Sequence, residues 1–357
     1  MAVIALILYY ISENSRIEVK SIYYDQKIAA SEKMLEALKV IRDHRAALGV
    51  FPEELGDPLV TIMIGEKYSQ ITTEEGLLSS KLTALNPNFA AAIMEMLEQA
   101  GAQKGDKVAI GATGSFPGLN LAVYSACDVL GVELVQISSL GSSSWGANSE
   151  NFTWLDMETV LREKGIFKFK SVAASIGGGN DIGIGLSQHG RDLLRAAAKR
   201  NSIPLIEEPD LLSSINKRME IYGDIKNYKA YINIGGGIAS LGHQWNSEII
   251  EPGLNHRLPL KNYPGIGVIN LFGTDIAVIH LEKMEKLIAK YSLPLAPNPL
   301  PPVGIGRVFM ESRYDLRITI ASLVIIALML AAIFRLDKKL FKFSQEGSDP
   351  ETLTQEH

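Results

Sequence analysis

The sequence predicts an α/β protein: a doubly wound, mostly parallel sheet with glycine-rich βα corners, anchored in a membrane by a C-terminal helix and by a short N-terminal one. Three observations carry that expectation. Apolar, β-rich runs alternate with helix-like stretches through the middle of the chain. Three of those runs end in glycine, at 107–120 (Lys-Val-Ala-Ile-Gly-Ala-Thr-Gly-Ser-Phe-Pro-Gly-Leu-Asn), 171–181 (Ser-Val-Ala-Ala-Ser-Ile-Gly-Gly-Gly-Asn-Asp) and 230–240 (Ala-Tyr-Ile-Asn-Ile-Gly-Gly-Gly-Ile-Ala-Ser). Near the C-terminus, 318–334 is an uncharged apolar run of 17 residues, broken only by Thr319 and Ser322. That length approaches a full membrane span, and Arg317 can snorkel from its end.

From the start, 1–11 is apolar throughout, but a helix of that length reaches only about half of a 30 Å hydrocarbon core. It lacks a basic leader and a small-residue cleavage site, so it reads as the remnant of a first anchor rather than a signal peptide. From 25 to 48, Ile28, Met34, Leu35, Leu38, Ile41 and Leu48 fall at helical spacing among charged residues, which predicts an amphipathic lead-in helix. Two prolines and a glycine make 51–58 a connector, and 59–64 is an apolar run too short to assign to strand or helix. Asn88 is placed to cap a helix over 89–99 that ends before Gly101.

Strands are then expected near 107–111, 133–138, 171–176, 203–207, 230–234 and 266–271. Helices near 117–130, 154–164, 187–200 and 210–222 separate the first five, and Pro117 opens the first of them. Strand, helix, strand at this spacing demands crossover connections, hence a parallel sheet covered on both faces. The unbroken apolar runs Val108-Ala109-Ile110 and Val172-Ala173-Ala174 suit that burial. The α/β domain is drawn over 50–292, with room for two lobes. Five prolines in the ten residues 293–302 suggest a stiff linker, extending to 315, toward the span at 316–334. Arg335, Lys338, Lys339 and Lys342 follow that span, against Arg307, Arg313 and Arg317 before it. The bias puts the tail 335–357 in the cytoplasm and the main domain outside the cytoplasm, at the cell membrane.

At 357 residues and 46% hydrophobic, the chain can build a substantial core. Its net charge of −5 argues against nucleic acid as a partner. Arg317 adds one positive charge and the tail adds four positives and five negatives, so residues 12–315 themselves carry −5. The single cysteine, Cys127, excludes an intrachain disulfide and reads as a small buried hydrophobe. The six histidines show no metal-binding spacing, so neither a metal nor another cofactor is expected.

In an open parallel sheet, ligands bind beyond the carboxyl ends of the strands, where the winding reverses. That rule selects Gly114 and Ser115, Ser139, Asn148, then Gly177, Gly178, Gly179, Asn180 and Asp181, and finally Gly235, Gly236 and Gly237 as ligand-binding candidates. Glycine lets the backbone come close, and free N–H groups at such turns attract a carboxylate or phosphate. A small acidic ligand follows. Known fingerprints stay incomplete: 111–118 lacks the Gly-Lys-Ser/Thr ending of a P-loop, and Ile182 and Ser240 stand where a dinucleotide motif needs its last glycine. Ser115 sits where a nucleophile elbow would put its serine, but Thr113 replaces the first glycine of that motif. As catalytic candidates, Ser115 would need His243 or His189 as base, with Asp181 or Glu208 as orienting acid. The group Glu207, Glu208 and Asp210 also fits a helix cap, Asp210 standing just before Leu211.

Eight blocks are taken together: Asn-Pro-Asn-Phe-Ala-Ala at 86–91, Val-Ala-Ile-Gly-Ala-Thr-Gly-Ser-Phe-Pro at 108–117, Ile-Ser-Ser-Leu-Gly at 137–141, Trp-Gly-Ala-Asn at 145–148, Phe-Thr-Trp-Leu-Asp-Met-Glu at 152–158, Ile-Gly-Gly-Gly at 176–179, Pro-Leu-Ile-Glu-Glu-Pro at 204–209 and Glu-Pro-Gly-Leu-Asn at 251–255. Together they resemble the poly-gamma-glutamate system protein family. The resemblance implies an accessory membrane protein of poly-gamma-glutamate synthesis and export, for capsule or released polymer. Its implied partners are the other membrane proteins of that system, with glutamyl units as a ligand. It implies no catalytic residue. Two alternatives stand beside it: an extracytoplasmic hydrolase or acyl-transfer enzyme acting on the polymer, and a sensor of an acidic ligand.

Overall fold

The computed structural model describes residues 2–49 and 62–346. The expected connector 51–58, the start of the apolar run at 59–64 and the end of the tail lie outside the described residues. Two compact units emerge, Ser21–Phe309 and the pair of chain ends Met1–Lys20 with Met310–His357. In chain order the strands are β1 (Arg16–Lys20), β2 (Lys107–Thr113), β3 (Glu133–Ser139), β4 (Asn148–Ser149), β5 (Phe152–Thr153), β6 (Ala173–Ser175), β7 (Leu205–Ile206), β8 (Tyr228–Ile234), β9 (Gly253–Asn255), β10 (Ala277–Leu281) and β11 (Met310–Tyr314).

The larger unit is a mixed α/β structure around a seven-stranded sheet in the order β7-β6-β3-β2-β8-β10-β9. Every neighbouring pair is parallel except β10 with β9. The chain winds outward from β2 through β3 and β6 to β7, then returns to the other side of β2 at β8. Val108, Ala109 and Ile110 in β2 are all fully buried. Successive strand residues face opposite sides, so both faces of the sheet are covered. On one face Ala109, Ile137 and Ala173 join Ile215 and Tyr222 of the helix Leu211–Tyr222, and Val268, Ile269 and Phe272. The helices Tyr24–Ala47, Phe89–Gln99 and Pro117–Leu130 pack on one another.

Local chemistry explains the elements that flank the strand ends. Pro117 occupies the first turn of its helix, and Gly131 ends it at φ 76°, a conformation that favours glycine. Asp210 caps the helix Leu211–Tyr222 by accepting the Ser213 N–H at 2.8 Å. Buried Glu158 accepts from Tyr124, Gln136 and Ser171, so a carboxyl that burial pushes above its usual range is still hydrogen-bonded.

Four expectations change. The run expected as a strand at 266–271 is the helix Val268–Gly273, and the strand next to β8 is β10. A short apolar run between glycines carries no period to tell the two apart; here the Asn270 side chain accepts the Gly267 N–H and starts a helix. Asn88 does not cap its helix, because its amide donates to Pro302 O and accepts from Gly304 N–H. The proline-rich stretch is therefore docked on the body, with Ala296 N–H also bonded to Thr83, and Leu293 is buried. The lead-in helix likewise belongs to the body: Met34, Leu38 and Ile41 are buried, and buried Lys27 meets Glu95 at 2.8 Å.

In the smaller unit β1 and β11 form an antiparallel ribbon, Arg16 opposite Tyr314. Tyr314 donates to Glu13 and accepts from Arg16, whose guanidinium also lies 4.4 Å over the tyrosine ring. The helices Ala2–Asn14 and Leu316–Glu346 flank the ribbon. Within the second, Leu316–Lys338 is long and apolar enough to cross a membrane, and large side chains such as Leu316, Leu323 and Leu328 are more than 60% exposed on it.

Candidate functional site

The reversal of winding between β2 and β8 marks the place where a parallel sheet opens a crevice, because the connections on either side leave in opposite directions. A cleft of about 170 Å³ lies there. Thr113 and Ser115 reach it from the end of β2, Ser139 and Gly141 from β3, Gly177, Gly178 and Gly179 from the turn after β6, and Gly236 and Gly237 from the turn after β8. Thr73, Glu74, Ile238 and Gln244 complete the walls.

These walls are rich in unused donors. Among the described residues, the backbone N–H groups of Ser115, Gly178, Gly236 and Gly237 find no acceptor within the chain. Thr113 is only 5% exposed, and its hydroxyl has no hydrogen-bond partner. Buried polar groups are ordinarily paired, so such a cluster is an open demand for an acceptor. Gly177 and Gly178 hold φ near 70°, which turns the chain tightly enough to present the Gly178 amide.

Beneath the Gly177–Gly179 turn lies a charged floor. Arg218 Nη2 donates to Asp181 Oδ2 at 2.9 Å, to Ser175 at 2.6 Å and to Ser139 at 3.1 Å. Ser175 and Ser214 donate to the two Asp181 oxygens at 2.7 and 2.6 Å. Arg218 and Asp181 are both buried, and the arginine orients the Ser139 hydroxyl that lines the cleft.

A second buried base stands behind Ser115. Lys81 Nζ donates to Ser115 O and to Ser143 Oγ, and lies 3.8 Å over the Phe116 ring. Ser143 N–H in turn donates to Ser115 Oγ at 3.0 Å. Burial pushes the Lys81 pKa down to about 7, against the opposing field of Glu74.

Of the residues selected from sequence, Ser115, Ser139, Gly177, Gly178, Gly179, Gly236 and Gly237 border this one cleft. Gly114 and Gly235 lie just behind it in tight packing: a Cβ on the first would meet Leu140 O at 2.7 Å, and on the second Thr113 Oγ1 at 2.8 Å. Asn180 is exposed and outside the lining. Asn148 is fully buried, and both ends of its amide clamp Glu66 while it also donates to Thr72, which leaves nothing for a ligand.

The serine–histidine–acid arrangement is not assembled. His243 takes the Trp245 N–H on its Nδ1 and lies off the cleft lining; Glu208 is also off it. Asp181 is committed to Arg218 and its serines, and no histidine hydrogen-bonds Ser115 among the described residues. Among those residues no group of three His, Cys, Asp or Glu side chains gathers as a metal site. Glu207 pairs with Arg195, and Cys127 is buried with its thiol pKa pushed up by burial.

Thr73, Glu74, Lys81, Arg218 and Gln244 were not singled out from sequence. Arg218 lies one helical turn after Ser214, so the pair shares a helix face, but only the fold shows that this face meets the cleft floor. Comparison with protein-family models, curated proteins and solved structures finds no match for the chain.

Proposed function

We propose that the chain is an accessory membrane protein of poly-gamma-glutamate synthesis and export, and that its α/β body binds a small acidic ligand such as a glutamyl unit, or a partner protein presenting one. The observation that carries this reading is the group of free amides at Ser115, Gly178, Gly236 and Gly237 around one small cleft. Amides without an acceptor around one small cleft favour a carboxylate. At about 170 Å³ the cleft is on the scale of one small ligand unit. A body of charge −5 would also repel a long polyanion.

In this reading the glycine-rich βα corners are the binding walls of a doubly wound sheet. Leu316–Lys338 spans the membrane, Ala2–Asn14 adds a second apolar anchor, and the basic residues after 334 hold the tail in the cytoplasm. The polymer setting comes from the sequence resemblance. Deleting the gene should abolish or shorten the polymer, Ser115→Ala should restore it, and Gly237→Val, which fills the cleft beside Thr113, should not. Normal polymer after deletion ends this reading.

A specific contact favours an acyl-transfer alternative: Lys81, with its lowered pKa, is hydrogen-bonded to the Ser143 hydroxyl, while it meets Ser115 only at the backbone oxygen. A lysine of that kind can serve as a base toward a serine. Here Ser143→Ala would abolish a change in polymer length that the wild-type protein produces, where the binding reading expects no effect.

A further inference from the structure

Two carboxylates stand near the free amides, Glu74 in the lining of the cleft and Glu282 beside Gly236 just outside that lining. Glu74 lines the same cleft, and its carboxylate makes neither a hydrogen bond nor an ion pair among the described residues. Glu282 follows β10, and its Oε1 would lie 3.1 Å from a Cβ placed on Gly236. Its Oε2 is buried without a hydrogen-bond partner, although His280 Nε2 stands 3.3 Å away.

The position of Glu282 is built in. His280 pairs with Asn233 across β10 and β8, and the Asn233 amide contacts His280 Nδ1 at 2.9 Å while donating to Gly235 O at 2.8 Å. One asparagine thus ties the strand end that carries Glu282 to the turn that carries the free amides. Of the nearby bases, His280 faces Glu282 at 3.3 Å. Lys81 is spent on Ser115 O and Ser143, and Arg218 on Asp181. Partial burial against the cleft wall holds the Glu74 carboxyl above its usual range, with Lys81 opposing and Glu282 reinforcing the shift. Thr113, nine-tenths buried with an unpartnered hydroxyl in the wall between, independently marks the cleft as a ligand site.

We infer that the cleft recognises a small zwitterion, its carboxylate received by the amides of Gly178, Gly236 and Gly237 and its ammonium by Glu74 and Glu282. The class is an α-amino acid, or the free amino end of a peptide-like chain. This rests on the reading of the cleft as a small-acid site and adds the cationic half.

The test is titration calorimetry on the full chain in detergent micelles with L-glutamate, N-acetyl-L-glutamate, glutarate and γ-glutamylglutamate. L-Glutamate should bind at least ten-fold more tightly than the two compounds that lack an ammonium. γ-Glutamylglutamate binding as well as glutamate identifies a chain end as the source, and weaker binding identifies the free amino acid. Glu74→Gln, a change on the exposed rim whose fold is checked by its melting curve, should bring the ten-fold preference close to parity. Equal binding of glutarate and glutamate, or a preference that survives Glu74→Gln, overturns the zwitterion and leaves the small-acid site standing. Failure of all four compounds to bind removes both.

Discussion

Arg218 and Asp181 meet at 2.9 Å with their side chains 3% and 1% exposed, directly under the Gly177–Gly179 turn. Asp181 adopts φ 64° to reach that contact. A buried pair of this kind is expensive to break from one side, because the remaining charge is left without a partner. Arg218→Met or Asp181→Asn should each cost about 3–5 kcal/mol of stability. The double variant should recover part of that loss, and chemical unfolding of the four proteins as a cycle measures the coupling. Single variants that lose less than about 1 kcal/mol would show the pair to be solvated.

Thr113→Val separates a ligand site from a packing detail. The two side chains have nearly the same shape, and the threonine hydroxyl has no partner to lose. Removing an unsatisfied buried hydroxyl should leave stability unchanged or raise it by about 1 kcal/mol. If the hydroxyl serves a bound carboxylate, the same variant should bind the ligand about ten-fold more weakly. The melting temperature and the binding isotherm then move in opposite directions.

The strand β2 and the helix Pro117–Leu130 were legible because their signals are local: an unbroken apolar run and a proline in the first helical turn. The strand β10 was not, since its apolar run differs little from the one at 268–273 that folds as a helix. Glu74 and Arg218 were missed for another reason. Each stands far from the glycine turns in sequence, and only the sheet order brings them to the cleft. Asn148 shows the converse: it sits in the resembling block at 145–148, yet its amide is used up in holding residues 66 and 72.

Gly118 illustrates a glycine kept for packing. A Cβ there would lie 2.5 Å from the backbone oxygen of Ala84, an atom that cannot swing aside as a side chain could. Gly118→Ala should therefore force the helix Pro117–Leu130 away from Leu78–Ala84, at a cost of about 1–3 kcal/mol. A thermal melt of the variant checks this, and an unchanged melting temperature would mean that the two helices separate freely.

Lys81 gives the body a pH dependence whose sign can be worked out. Its ordinary pKa is 10.5, and in the fold burial lowers it to about 7. Between those values the unfolded chain holds a proton that the folded chain has released, so stability rises with pH across this window. The slope is about 1.4 kcal/mol per pH unit for a single group. Below about pH 7 both states are protonated and the penalty is constant. Lys81→Met removes the titration, so the stability of the wild type minus that of the variant should climb from pH 7 to pH 9, measured by unfolding in micelles. A difference that stays flat would mean that the ammonium remains charged between Ser115 O and Ser143 Oγ. The acyl-transfer alternative would then lose its base, because a lysine protonated throughout that range cannot accept a serine proton.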